Sequence, residues 1–429
     1  MIVSSPDLPG SFGFESKAGA RQNLKIMRKT IDRLFGQPVA ALALFIFALV
    51  CGWHGFDLAL NAVTGGPGPR DLIVTVNQRT TQYFFNYQDL GFIKRGLVGT
   101  LLHPFPALTT RLGLASVSGA LLILFTVLFW RLFITSTASV AQQGRGVLAL
   151  LCATMPGFFL RLGWDFGRFD VLDLIAALAS FALIERSWWF LASIPAGFAI
   201  LAHEDFALFA LPLMVALARP GVSTQSGGGR AWAWAKLLAV PGAATGAVAV
   251  WGRSHWDFAA LVHYFAANTA YVAAAPGGQV NLDEVAVLTR TLRDNFALDA
   301  QMFVAKRAAF HLPIILVWFW FVWKYASNFY QRNNLRKDLA FGAALAPLLL
   351  GIIGFDYYRW VAMAAVNLIL VIVLQCRRLA KAGIVPVIGW DLNAKVLVAS
   401  AIFGPICNTK SFLYPFLLLD RIWSGKIPW

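Results

Sequence analysis

Long apolar runs follow one another along almost the whole chain, and short charged segments separate them. A soluble domain carries about a quarter charged residues, whereas this chain has 13% charged and 58% hydrophobic residues. A helix needs about 20 mainly apolar residues to cross the hydrocarbon of a bilayer. The runs therefore predict an all-α fold, a polytopic transmembrane bundle of about 10 to 12 spans. The spans are expected near residues 38–61, 113–136, 147–164, 171–185, 187–202, 205–218, 232–252, 309–330, 339–355, 360–376 and 394–408.

The basic residues predict how this bundle is oriented. The formal charge is +15, but Lys and Arg are spread over the short inter-helix segments instead of forming one dense patch. This distribution argues against a nucleic-acid partner. It favours cytoplasmic loops rich in Lys and Arg and contacts with anionic membrane lipids. We therefore expect a multi-pass protein of the bacterial inner membrane with a cytoplasmic N-terminus.

Two regions follow from this orientation. Residues 1–37 are predicted to be a basic cytoplasmic tail, in which 17–35 form an amphipathic helix on the membrane surface; a frayed basic tail is the alternative. No cleavable signal peptide is expected, because the first apolar run starts so late. Residues 38–429 are predicted to form the transmembrane domain, with long outer loops at 62–112 and 253–308.

The first outer loop contains an aromatic-rich segment with one carboxylate and two adjacent cations. Aromatic residues of this kind favour interfacial amphipathic helices. Asp89 is a candidate general base or metal ligand, and Lys94 and Arg95 are candidates for gripping a phosphate. The alternative is an interfacial helix in which Asp89 pairs with a neighbouring cation.

Three further charged clusters lie at the predicted outer ends of spans. One contains Asp165, Arg168 and Asp170, and another contains His203 and Glu204. The third contains Asp356 and Arg359. Each has a structural alternative: a helix cap by Asp170 with a local ion pair in the first cluster, a structural histidine in the second, and a pair that anchors the membrane interface in the third.

Charged residues at membrane depth are costly and usually have a function. Because all four clusters share one predicted face, we expect them to line a common cavity that binds a substrate. The chain has no HExxH motif and no CxxC spacing, so no metal ligands are predicted. No particular cofactor is assigned. A divalent metal is left open without a ligand motif to support it.

In this arrangement the chain resembles the polytopic GT-C class of glycosyltransferases, which use polyprenyl-phosphate-linked sugars on the extracytoplasmic face. The resemblance covers the architecture of most of the chain, and Asp89 matches the acidic residue of the family's first outer loop. The loop lacks the acidic pair and the WWD-type motif of the family. The resemblance implies transfer of a sugar from a lipid-linked donor to a lipid or glycan in cell-envelope polysaccharide synthesis, with other envelope-glycan enzymes as possible partners. It assigns catalysis to Asp89 and substrate binding to the charged residues of the four clusters.

Three other functions fit a chain of this kind. A polysaccharide polymerase or ligase uses the same donors, but we expect longer outer loops with more arginines. A membrane acyltransferase centred on His203 needs a path for its thioester substrate to this histidine. A transporter of lipid-linked glycans is the non-enzymatic alternative, and it is expected to show charges near mid-span or repeated halves.

Overall fold

The computed structural model describes residues 37–64, 78–155, 158–218, 227–305, 308–352 and 357–403. These residues contain helices and no strand, as the sequence predicts. The α-helices are α1 Pro38–Thr64, α2 Tyr87–Leu90, α3 Gly96–Leu102, α4 Arg111–Ser136, α5 Gln142–Thr154, α6 Phe159–Trp164, α7 Asp170–Ile184, α8 Trp189–Ala202, α9 Phe206–Phe209, α10 Leu211–Leu217, α11 Gly227–Trp251, α12 Phe258–Ala267, α13 Thr269–Ala274, α14 Leu282–Val287, α15 Leu292–Ala305, α16 Ala308–Arg332, α17 Leu339–Ala343, α18 Tyr357–Lys381 and α19 Leu392–Phe403. Short 3-10 helices span Gln78–Phe84, Pro106–Thr109, Pro276–Gly278 and Ala346–Ile352.

Three of these helices are long and apolar enough to cross a membrane: Arg111–Ser136, Ala231–Trp251 and Arg359–Lys381. Shorter apolar helices, from 10 to 17 residues long, accompany them. The apolar part of α18 is completely buried, whereas that of α11 is only 22% buried. Helix α18 therefore lies at the centre of the bundle, and α11 presents most of its apolar surface outward.

Several predicted spans are interrupted. The run 205–218 is divided at Ala210 into α9 and α10. Pro212 explains the break, because proline has no N–H and its ring clashes with the carbonyl four residues earlier. The Phe209 carbonyl next to the break accepts a hydrogen bond of 2.6 Å from the buried Asn367 amide. A polar residue in the middle of α18 thus stabilises the broken helix beside it.

Other runs are also shorter than predicted. Within 147–164, α5 ends at Thr154 and α6 begins at Phe159, and the run 339–355 begins with α17 and a 3-10 helix. The second predicted outer loop ends with two separate helices, α14 and α15. Asp294 accepts hydrogen bonds from the Thr291 backbone and hydroxyl, so the second helix has its own N-terminal cap.

The two predicted outer loops form one structural layer, which we call the cap (residues 78–110 and 252–291). Its own hydrophobic core includes Phe85, Ile93, Phe265 and Tyr271. Phe169, just before α7, joins this core and links the cap to the bundle. The cap therefore covers the ends of the helices at which the predicted charged clusters lie.

Helices α7 and α18 are tied together by ion pairs at both ends. At one end, Asp170 in the first turn of α7 pairs with Arg359 in the first turn of α18. At the other end, Glu185, which directly follows α7, lies 3.1 Å from Arg377 near the end of α18. At 1.5 Å per residue the two charged layers are about 22–27 Å apart, slightly less than the ~30 Å of a bilayer hydrocarbon core. Two parallel helices thus place charge at both edges of an apolar slab.

Three sequence predictions lie outside the described residues. They are the amphipathic helix at 17–35, Asp356 and the last residues of the span at 394–408.

Replacing Asn367 with Leu is expected to destabilise the bundle, because the Phe209 carbonyl then loses its donor in an apolar environment. An unsatisfied buried acceptor costs about 1–3 kcal/mol, which lowers the melting temperature of the detergent-solubilised protein. The matched control is Lys395→Ala, since Lys395 is exposed and a surface change stays within about 0.5 kcal/mol. Equal melting temperatures for the two variants would contradict the assigned role of Asn367.

Candidate functional site

Beneath the cap, charged side chains from four parts of the chain form a continuous network, which we call the buried ion network. All its members except the slightly more exposed Arg168 are buried. The members are Arg161, Asp165, Arg168, Asp170, Asp173, His203, Asp205 and Arg359. Within it, four carboxylates face three guanidinium groups and one imidazole.

Arg359 is the centre of the network. It lies near the start of α18, and its Nε atom donates to Asp170 Oδ1 at 3.1 Å. Its Nη2 atom also contacts this oxygen, and its Nη1 atom is 3.0 Å from Asp205 Oδ2. The side chain is only 5% exposed. One guanidinium therefore connects the first turn of α7 with the segment between α8 and α9.

His203 lies at the C-terminal end of α8 and is also enclosed. Its Nδ1 atom is 2.7 Å from Asp173 Oδ2, and its Nε2 atom is 3.2 Å from Arg359 Nη2 and 3.3 Å from Asp205 Oδ2. With Nδ1 protonated, Nε2 accepts from Arg359 when the ring is neutral and donates to Asp205 when the ring is charged. Either form satisfies the histidine inside the network.

The turn between α6 and α7 contributes the rest of the network. Arg161 Nε is 2.8 Å from Asp165 Oδ2, one helical turn further on. Arg168 Nη1 is 3.4 Å from the same oxygen, and Arg168 Nε is 3.4 Å from Asp170 Oδ2. Gly167 has a φ of 96°, a backbone conformation that glycine adopts without strain. This reversal brings Arg168 back over the turn between the two aspartates.

A small cavity of about 10 Å³ lies beside the network. Arg161, Asp170 and Arg359 line it on one side, and apolar residues such as Leu174 and Met363 line it on the other. A single water molecule needs about 10–15 Å³, so this space is far too small for a sugar or a lipid headgroup. In this conformation the buried ion network holds helices together and is closed to a substrate.

A second charged group joins the cap to the bundle. Arg95 Nε lies 2.9 Å from Glu204 Oε2, and Arg95 Nη2 lies 2.8 Å from Oε1. Arg95 Nη1 is also 3.5 Å from Glu284 in α14, which accepts a 2.8 Å hydrogen bond from Gln82. Burial raises the pKa of Glu204, but Arg95 outweighs it and holds this pKa well below its usual range. One arginine thus connects three segments of the cap and the end of α8.

Asp89 lies apart from both groups. It is in the first turn of α2, where Asn86 caps the helix, and its side chain is 37% exposed. Its Oδ2 atom accepts a 2.6 Å hydrogen bond from Tyr264 OH in α12 and another from Asn86 at 3.1 Å. His103 Nδ1 is 3.9 Å away. Asp89 is therefore the predicted site residue that combines solvent exposure with fixed orientation.

The protonation state of Asp89 follows from these contacts. Partial burial raises its pKa, but the hydrogen bonds from Tyr264 and Asn86 and the nearby His103 together hold the pKa below its ordinary value. The carboxylate is therefore ionised at neutral pH. Burial, the hydrogen bond to Asp89 and its charge raise the pKa of Tyr264 to about 12, which keeps this donor protonated.

Three buried groups could be considered as a metal site, since ligand atoms of Asp170, Asp173 and His203 lie within 4.8 Å of one another. However, the Arg359 guanidinium contacts Asp170 and lies 3.2 Å from His203 Nε2. A positive charge therefore already contacts two of the three candidate ligands. The donor set as arranged therefore suits an arginine better than a divalent cation.

The structure brings most of the predicted site residues together but not all of them. Asp165, Arg168, Asp170, His203 and Arg359 belong to the buried ion network, and Glu204 pairs with Arg95 beside it. Among the described residues, Asp89 has no hydrogen bond or ion pair with either group. The predicted site residues therefore do not line one cavity in the described part of the chain. Most belong to the closed network below the cap, and the partly exposed carboxylate of Asp89 lies separately in the cap.

Two important residues escape sequence reasoning. Glu284 resembles an ordinary acidic residue in a first helical turn, yet it is completely buried against Arg95 and Gln82. Tyr264 resembles an interfacial aromatic residue, yet its hydroxyl group orients Asp89. Both contacts join residues more than 170 positions apart, so no local pattern reveals them.

Comparison with protein-family models, with curated proteins and with solved structures finds no match to this chain. Its function is therefore inferred from the sequence and from the geometry of the described residues.

Replacing Arg359 with Gln is expected to destabilise the protein strongly, because the buried carboxylates of Asp170 and Asp205 then lose their closest counter-charge. Removing one partner of a buried ion pair costs about 3–5 kcal/mol. The double variant Asp170→Asn/Arg359→Gln should recover part of this loss, because one of the two orphaned charges is removed as well. Thermal unfolding of the purified variants measures both effects, and wild-type stability of Arg359→Gln would show that the network does not hold the bundle.

Proposed function

We propose that this chain is a polytopic inner-membrane glycosyltransferase of about 10 to 12 spans with a cytoplasmic N-terminus. It transfers a sugar from a polyprenyl-phosphate-linked donor to a lipid or glycan acceptor on the extracytoplasmic face, in cell-envelope polysaccharide synthesis. Three apolar helices and the two charged layers that bracket α7 and α18 support the membrane part of this proposal. The two long segments that form the cap are predicted to lie on the face opposite the short Lys- and Arg-rich loops, and this supports a cap that faces outward.

The observation that carries the enzymatic part is the state of Asp89. Its carboxylate is partly exposed, ionised, and held by a hydroxyl group from the other outer segment. In sugar transfer, positive charge develops on the sugar ring in an oxocarbenium-like transition state. A nearby carboxylate stabilises that charge and accepts the proton of the attacking hydroxyl. A weakly basic carboxylate is sufficient where the hydroxyl loses its proton late in the reaction.

The bonds made and broken follow directly. The acceptor oxygen forms a bond to the anomeric carbon, and its proton passes to Asp89. The bond from the anomeric carbon to the phosphate oxygen breaks, and the electron pair leaves with the lipid phosphate. Lys94 is the cation of the predicted set best suited to that leaving group. Its ammonium has a single, long hydrogen bond of 3.5 Å, to the Arg290 carbonyl, within the part of the chain that the structure describes.

The remaining predicted residues take supporting roles in this proposal. Glu204 is 27% exposed, and its ion pair with Arg95 fixes its orientation. It is therefore a better candidate for contacting a sugar hydroxyl than the buried residues of the ion network. Arg168, Arg359 and the aspartates beside them position the helix ends below the cap. The enclosure of His203, 2% exposed, argues against an acyltransferase centred on it. The charges of α7 and α18 lie at their ends, which argues against a transporter.

Asp89→Asn is expected to abolish activity in a folded protein, because the amide has a similar shape but accepts no proton and carries no charge. Loss of a positioned general base typically costs about 10²–10⁴ in rate. The measurement is complementation of a strain lacking this protein at matched membrane abundance, with lipid-linked sugars quantified. Asp283→Asn makes the same change at an exposed carboxylate in the cap and serves as the control. Full rescue by Asp89→Asn would exclude the catalytic role.

Tyr264→Phe is expected to change the pH dependence rather than abolish the reaction. Without the Tyr264 hydroxyl, the lowered pKa of Asp89 rises towards its ordinary value. Since the ionised carboxylate is the active form, activity is lost at a higher pH on the acid side, while the rate at neutral and alkaline pH changes less. The measurement is the pH–rate profile of purified enzyme. If activity is lost at the same acidic pH as in the wild type, Tyr264 does not control the protonation of the catalytic group.

A further inference from the structure

Four basic residues from distant parts of the chain meet at one edge of the cap, which we call the basic edge (Lys94, Arg253, Arg290 and Arg293). Backbone hydrogen bonds hold the segments together. The Lys94 N–H donates to the Gly252 carbonyl at 2.7 Å, and the Ser254 N–H donates to the Leu288 carbonyl at 2.9 Å. The Lys94 ammonium is 3.5 Å from the Arg290 carbonyl. The basic edge is thus a product of the fold.

The positive charge of this edge is poorly compensated. In the described part of the chain no salt bridge engages Arg253, Arg290 or Arg293. The nearby carboxylate of Asp294 is occupied by the N–H and hydroxyl of Thr291, at 2.8 and 2.7 Å. Hydrogen bonds from Thr291, with Arg253 and Arg293 adding to their effect, hold the pKa of Asp294 below its usual range. Arg253 and Arg293 therefore share one carboxylate that is already bonded.

Lys94 shows the consequence. Burial lowers its pKa, and among the neighbouring charges Glu204 has the largest effect and raises the pKa; Asp205 also raises it, whereas Arg95 and Arg290 lower it. The fold places this ammonium between carboxylates and guanidinium groups and gives it one long hydrogen bond. A bound anion with several oxygen atoms satisfies such a group, and phosphate forms strong charge-assisted hydrogen bonds with Lys and Arg.

The position of the basic edge identifies the source of that phosphate. Arg253 comes two residues after Trp251, where the apolar helix Ala231–Trp251 ends. Val250 is 68% exposed, Trp251 63% and Trp256 40%. Exposed Trp at the end of an apolar helix is typical of the headgroup level of a bilayer. The cations therefore lie where lipid phosphates are, with apolar surface directly beneath them.

We infer that Lys94, Arg253, Arg290 and Arg293 form a binding site for the phosphate headgroup of a membrane lipid. Lys94 and Arg290 are half-buried and donate from the inner side of the site. Arg253 and Arg293 are exposed and close its outer side. The lipid chain lies along the exposed apolar end of α11. The site shares Lys94 with the proposed reaction, in which this residue holds the leaving phosphate, but binding of a lipid phosphate here does not require Asp89 to be catalytic.

The test uses the full chain in dodecyl maltoside, titrated with monododecyl phosphate and, separately, with inorganic phosphate, with binding followed by native mass spectrometry. The variant is Arg253→Gln/Arg290→Gln. The matched control, Arg186→Gln/Arg336→Gln, removes two exposed arginines outside the cap. A basic residue near an anionic lipid surface contributes about 1 kcal/mol, so each arginine lost from the site should weaken binding of monododecyl phosphate about fivefold.

The expected result is tight binding of monododecyl phosphate to the wild type and to the control, with a loss only in the first variant. Unchanged binding in Arg253→Gln/Arg290→Gln overturns the site. Equal weakening in both double variants assigns the effect to net charge and overturns it too. If inorganic phosphate binds as tightly as monododecyl phosphate, the site recognises a free anion, and the assignment to a membrane lipid is overturned. Because binding is measured without turnover, these outcomes are independent of the activity of Asp89 variants.

Discussion

The bundle depends on how the guanidinium group of Arg359 is compensated. It is buried at the start of α18, the most enclosed of the three long apolar helices, and it contacts Asp170 and Asp205 while lying next to His203. Moving a charge from water to a low-dielectric interior is costly unless good geometry and further hydrogen bonds repay it. The contacts that offset this cost form only when the ends of α7, α8 and α18 lie together. The ion network thus specifies which helix ends meet, a task that non-directional apolar packing performs poorly.

This constraint separates structural charge from chemically available charge. Side chains in the buried ion network face one another around a space suited to a single water molecule. Those of Asp89, Glu204 and Lys94 lie higher, in or beside the cap, and keep some exposure. A reaction that accepts a proton needs the second kind of group. The network contributes to such a reaction through the position of the cap above it.

The sequence predicts the helical class, the apolar helices and the gathering of charged clusters at one end of the bundle, because these follow from composition and from the cost of charge near lipid. It predicts partners poorly. Within the described part of the chain Arg359 bonds with Asp170, 189 residues away, a contact that no local spacing indicates. The break at Ala210 follows from Pro212, whereas its stabilisation by Asn367 depends on tertiary packing. Long-range contacts such as Tyr264 with Asp89 have no local signature.

The backbone of Arg95 shows how the cap and the bundle are coupled. Arg95 has a φ of 62°, in the left-handed region that residues with a side chain seldom occupy. Such a conformation costs free energy and persists only where surrounding contacts determine it. Here the contacts are the paired bonds to Glu204 and the approach to Glu284. The same turn directs Lys94 towards Arg290, so the side chain that locks the cap onto α8 also fixes the neighbouring cation at the basic edge. Attachment of the cap and presentation of its free positive charge therefore arise from one strained turn.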